Sequence, residues 1–235
     1  MIHAELEALR NRTDTTMFHG LDRDLVSPVN ARLGFELPAS HLATLLTSNG
    51  MEVYAGYVRL FGLLTEETID GLSWNDVSCW KFAWNGRCDG FWCFAETAWG
   101  DQYAYLIEDM KGGACSEVYI LDAISMTVER KLSSFEAFFN DELVRQAREP
   151  YDITLQQARV KFGPLPHSKH LIHMPSLHLG GAEDIDHTEI QDARVAMICN
   201  GDLATQIDEP QGNAVSGVEA YLDEAGRARL RLIWA

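Results

Sequence analysis

Between residues 90 and 147 the chain carries three short runs rich in aromatic and β-branched residues, FWCFAET, QYAYLIED and SEVYILD, broken by a WGD turn and by KGG, before it changes to SSFEAFFNDELVRQA. The first three read as strands, and the last has the spacing of a helix. Short connections make sequential strands antiparallel neighbours, so this order constrains the fold more than anything else in the chain. The runs alternate apolar and polar residues only in part, as in a twisted antiparallel sheet with a helix over one face. Ser133 or Ser134 caps that helix, and Phe135, Phe138, Phe139 and Leu143 form its apolar stripe.

Upstream, LPASHLATLLTSNG places Leu42, Leu45 and Leu46 at helical spacing after Pro38 in the first turn, with Asn49-Gly50 as a left-handed stop. EVYAGYVRLFGLL reads as extended chain leading into a loop, and residues 66–84 give no clear assignment. After Pro150 the character changes, with two prolines and a glycine in KFGPLPHSKH. The expected division is residues 1–150 and a C-terminal subdomain, 151–235, packed on the first. The subdomain closes with a hairpin in which GVEAYLD and RARLRLIWA flank Asp223, Glu224, Ala225 and Gly226. The expected class is α+β: a small twisted antiparallel sheet flanked by helices, with a C-terminal subdomain ending in a β-hairpin.

A chain of 235 residues with 46% apolar content can bury a substantial core, and 19 basic against 35 acidic residues give a formal charge of −16. Nucleic acid, anionic membranes and acidic ligands are repelled by such a charge, and a basic partner is attracted. The start, MIHAELEALRNR, lacks the uncharged core of an export signal, and no apolar run is long enough to span a membrane, so a cytoplasmic location is expected. Five cysteines, Cys79, Cys88, Cys93, Cys115 and Cys199, form no CxxC pair and are odd in number, which fits reduced, mostly buried thiols. Trp74, Trp80, Trp84, Trp92 and Trp99 crowd one stretch, a density that favours core over recognition surface.

Three places resemble the SUKH superfamily, the immunity-protein group that includes the yeast Smi/Knr-type regulators. They are Leu37, Pro38, Asn49 and Gly50; the string from Phe94 to Asp101; and Ser134-Phe135. The AETAWGDQYAY string is also similar to related immunity proteins of type VI secretion systems, in which a proline, leucine and double-glycine motif follows. Pro175, Leu177, Leu179, Gly180 and Gly181 correspond to it here. The resemblance implies a non-enzymatic α+β protein that binds and blocks a cognate toxin. An acidic inhibitor of a basic toxin agrees with it, because complementary charge speeds association and fixes register.

Within that expectation, Trp99 and Asp101 are an anchor and a charge presented at a sheet edge beside Glu108 and Asp109. Asp101 also has a purely local use, accepting backbone hydrogen bonds in a glycine turn. Glu183, Asp184 and Asp186, continued by Glu189 and Asp192, read as a solvated face whose functional version is an acidic surface resembling a nucleic-acid backbone. His167, His170, His173, His178 and His187 raise the alternative of a metal-dependent hydrolase, but no HExxH pattern accompanies them, and no metal is assigned. There is no GxSxG elbow, Gly112-Gly113 reads as a hairpin turn, and Gly180-Gly181 lacks a strand-to-helix context. The reading is therefore of a protein without cofactor or catalytic residues that binds a toxin protein. A regulatory or scaffold protein of the same fold is the remaining alternative, and the oligomeric state stays open.

Overall fold

The structure is a computed structural model and describes residues 2–113, 117–207 and 214–235. It opens with α1 (Ile2–Arg10), which buries Leu6 and Leu9, followed by β1 (Thr16–Met17) and α2 (Val26–Leu33). The helix expected after Leu37 is α3 (Ala39–Thr47), but Pro38 is its extended N-cap rather than part of its first turn. Its exit also differs: Ser48 leaves the helix extended, and Gly50, not Asn49, takes the positive φ of 97°. Ser48 Oγ is hydrogen-bonded to the backbone of Phe18 and Gly50, which substitutes for a left-handed cap.

The segment read as extended chain running into a loop is a hairpin of β2 (Met51–Val53) and β3 (Val58–Leu60), turning through Tyr54, Ala55 and Gly56, all at positive φ. Two non-glycine residues in this conformation hide the turn from sequence patterns. Within residues 66–84 lie the short α4 (Gly71–Trp74), capped by the Asp70 carboxylate, and a 3-10 turn at Lys81–Trp84.

β4 (Phe91–Thr97) and β5 (Gln102–Leu106) follow as expected. The second run does not stay extended through Glu108 and Asp109, since α5 (Ile107–Lys111) begins there, and Gly112-Gly113 ends a helix rather than turning a hairpin. Two carboxylates in a first turn favour helix over strand through the backbone dipole. Then come β6 (Val118–Leu121) and β7 (Val128–Leu132), the latter extending the three expected strands.

Among the described residues, seven strands pair in sequence order from β1 to β7, every neighbouring pair antiparallel. β4 lies at the centre. Its Trp92 and Phe94 face one cluster and its Cys93 the other, so both faces are buried and the incomplete polar alternation is explained.

Helices cover the first face. α6 (Phe135–Phe138), capped by Ser134 Oγ, continues through a π-helical turn (Phe139–Val144) into α7 (Arg145–Arg148). Phe135, Phe138, Phe139 and Leu143 are all fully buried, as the stripe requires.

The last third of the chain supplies α8 (Ile153–Phe162), β8 (Lys169–His173), β9 (Thr188–Asp192), α9 (Ala193–Ile207) and the hairpin of β10 (Val215–Leu222) and β11 (Ala228–Trp234). The protein is thus α+β, with an antiparallel sheet, flanking helices and a C-terminal hairpin. α9 lies over the second face, where Ala193, Met197 and Ala204 join Trp74, Trp80 and Trp84. A Cβ at Gly201 would sit 2.9 Å from the Ala83 backbone, so glycine lets α9 approach this closely. Four of the five crowded tryptophans are core, and only Trp99 is half-buried. Cys88 and Cys93 are buried, Cys79 and Cys199 are partly so, and Cys115 lies outside the described residues. Among the described residues, no helix is long and apolar enough to cross a membrane.

Candidate functional site

The turn between β4 and β5 is built by its own residues. Thr97 N–H donates to the Asp101 carbonyl and Gly100 N–H to that of Thr97, with Gly100 at φ 92°. A Cβ there would lie 3.0 Å from His170 Nδ1, a second reason for glycine. One Asp101 carboxylate oxygen accepts the Thr97 hydroxyl (2.9 Å) and the other accepts Ala123 N–H (3.0 Å), joining this turn to the β6–β7 loop. Burial pushes the Asp101 carboxyl up to about 6, and the nearby Asp122 and Glu129 act in the same direction.

β8 is drawn against this turn by a buried polar network. Arg59 NH1 donates to Glu96 Oε1 at 2.9 Å, its NH2 donates to the carbonyls of Pro166 and Lys169, and His170 Nε2 lies 3.0 Å from Glu96 Oε2. Gln102 bridges Glu96, the Gly100 carbonyl and Trp74 Nε1. Burial alone would raise the Glu96 carboxyl, but His170 and Arg59 outweigh it and hold the group below its ordinary value. The network sets β8 in place, and His173 near its end then stacks on Trp99, with ring centroids 4.6 Å apart and planes 16° apart. Burial lowers the His173 pKa, which favours the neutral ring.

Beside this stack opens a cavity of about 730 Å³. Trp99, His173 and Leu171 form one wall, Cys199 and Leu203 of α9 another, and Val218 and Leu230 of the terminal hairpin close a side. The hairpin is held there by α9: Asp202 accepts from Leu230 N–H and the Arg229 guanidinium, and Gln206 Oε1 accepts from Leu232 N–H. Five carboxylates, Asp101, Asp122, Glu129, Asp152 and Glu183, lie in the lining, and among its described residues there is no Lys or Arg. Asp122 and Asp152 also accept backbone N–H groups in their own turns, which fixes their positions. The Cys199 thiol is pushed up to about 11 by burial and stays protonated near neutrality, so it is no ready nucleophile.

The cavity brings together Trp99, Asp101 and Glu183. It excludes Glu108 and Asp109. These begin α5 beyond the far end of β5, roughly 20 Å from the turn at strand rise, and Asp109 accepts the Tyr119 hydroxyl. The expected placement of Trp99 and Asp101 at a sheet edge beside that pair is therefore corrected: they sit at one end of the central strand pair. Asp184 and Asp186 are exposed, with Asp184 accepting from His187, and Glu189 is exposed as well.

The histidines disperse. His167 faces Glu52, His170 faces Glu96, His173 stacks on Trp99, His178 Nε2 lies 3.0 Å from the Ile124 carbonyl and His187 pairs with Asp184. Among the described residues, no group of three or more His, Cys, Asp or Glu side chains is arranged to hold a metal ion. Sequence reasoning missed His173 as the partner of Trp99, a pairing across distant segments that leaves no local signal. Asp122 was accessible to it, since an aspartate three residues before Ser125 in a loop is an Asx-turn signature.

No protein-family description matches the chain, and no curated protein sequence matches it. Among solved structures the fold is similar to that of Atu4351 from Agrobacterium tumefaciens, with 11% sequence identity, a TM-score of 0.54 and 96% of each chain covered.

Proposed function

We propose that this chain is an immunity-type protein that works in the cytoplasm by binding and neutralising a basic toxin protein. The observation that carries the reading is the cavity: an aromatic wall and five carboxylates with no Lys or Arg in its described lining, on a chain of formal charge −16. A basic macromolecule is attracted to such a surface and aligned on it, because complementary charge raises association rate and penalises wrong partners. Asp184, Asp186 and Glu189, which follow Glu183 in the chain, are exposed and carry the same sign. The resemblance through Leu37-Pro38, the string from Phe94 to Asp101 and Ser134-Phe135 supports the immunity role, and the α+β architecture is compatible with it.

Co-expression with the proteins encoded beside it tests this. Protection of the cells against one of them, with a stoichiometric complex on co-purification, is expected. Absence of both for every neighbour would overturn the proposal.

A further inference from the structure

We infer that the cavity between the β4–β5 turn, α9 and the terminal hairpin is the receptor for a single basic side chain, arginine or lysine, projected by the protein partner; this rests on the proposed function and specifies its contact. Charge and wall chemistry agree on that occupant. A space of about 730 Å³ exceeds what one extended side chain needs, so it also admits the flanking backbone. Leu171, Leu203, Val218 and Leu230 offer apolar surface to the methylene stem. Asp101, Asp122, Glu129, Asp152 and Glu183 surround the space with negative charge, and the lining has no described Lys or Arg to neutralise it from within. Trp99, stacked on His173, adds aromatic surface to one wall, against which the stem of the side chain can pack.

The acidic groups are held before any partner arrives. Asp101 is fixed by Thr97 and Ala123, Asp122 by Ile124 and Ser125, and Asp152 by Thr154 and Leu155. Binding a cation here costs little reordering of these three carboxylates. Glu129 and Glu183, exposed at the rim, are the groups free to close on an incoming charge. A neutral or acidic side chain would bring no charge to offset the carboxylates of the lining.

The probe is the blocked tripeptide acetyl-Gly-Arg-Gly-amide, with the citrulline tripeptide as its neutral isostere, titrated into the whole chain while the Trp99 indole N–H resonance is followed by NMR. Trp99→Phe identifies that resonance. A saturable shift with the arginine peptide and none with the citrulline peptide is expected. The double variant Glu129→Gln/Glu183→Gln alters exposed side chains only and is expected to weaken the arginine peptide at least about fivefold, while Glu66→Gln/Glu108→Gln, equal in charge but remote, changes it less than about twofold. Equal response to both peptides, no saturable shift, or equal loss in the two double variants overturns the inference. The two failures read out separately. A cavity indifferent to the arginine peptide overturns this inference even where a neighbouring toxin is neutralised, and failure to neutralise any neighbour overturns the proposed function whatever the tripeptide does.

Discussion

Arg59 and Glu96 form an ion pair of 2.9 Å in which both side chains are completely buried. The pair joins adjacent strands β3 and β4, and through the carbonyls of Pro166 and Lys169 and the ring of His170 it also fastens β8 to the sheet. Because β8 carries His173 to Trp99, the placement of the cavity wall depends on a polar contact in the interior.

Breaking that pair one partner at a time leaves an uncompensated buried charge. Glu96→Ala is expected to destabilise the fold by about 3–5 kcal/mol, measured by urea denaturation. Replacing both, as Arg59→Met/Glu96→Leu, is expected to cost less than Glu96→Ala alone. A double variant less stable than the single one would show that the pair contributes more than mutual neutralisation.

Asp101 ties the stability of the fold to pH. Its folded-state value of about 6 lies above the ordinary 3.8, so between these values the folded chain holds a proton that the unfolded chain has released. Stability contributed by this group is therefore present at low pH and is lost as pH rises toward 6. Asp101→Asn keeps an acceptor for Ala123 N–H and removes the ionisation. The variant is expected to gain about 3 kcal/mol over the parent at pH 8, with the difference vanishing below about pH 4. Denaturation at several pH values checks this, and a gain independent of pH would contradict it.

His41 stacks on Phe135 with centroids 4.3 Å apart, and its Nδ1 lies 3.0 Å from the Tyr105 hydroxyl. Burial lowers its pKa to about 3, so the ring is neutral in the folded protein while the unfolded chain takes up a proton below about 6.5. Stability from this group is present above the unfolded value and is lost as pH falls from 6.5 toward 3. The His41 ring resonances in the folded protein are expected not to titrate between about pH 5 and 8. A titration midpoint inside that range would disprove the burial account.

Gly201→Ala places a Cβ 2.9 Å from the Ala83 backbone and 3.0 Å from the Trp84 ring, where neither neighbour yields easily. Overpacking of this kind costs about 1–3 kcal/mol, outweighing the better helix propensity of alanine. A thermal shift downward is expected; an upward shift would mean that α9 moves without strain.

Much of this architecture was legible in the chain. β4, β5 and β6, the helix that begins after Ser134 and the terminal hairpin followed from strand-forming residues, turn chemistry and the Phe135, Phe138, Phe139 and Leu143 stripe. What could not be read locally were events set by tertiary contact. Tyr54 and Ala55 take positive φ because their hairpin packs under Leu165, whose N–H bonds the Ala55 carbonyl. The site divided along the same line: Trp99, Asp101 and Glu183 were legible as candidates, but their convergence required β8 and α9 to fold back over the sheet. The separation of Glu108 and Asp109 from them required β5 to end in a helix.

The most direct measurement is calorimetric titration of this chain into a basic toxin domain encoded beside it, at two salt concentrations. A 1:1 complex that weakens as salt rises, and weakens further with Glu129→Gln/Glu183→Gln, is the expected result. No binding to any such domain would contradict the account at its centre.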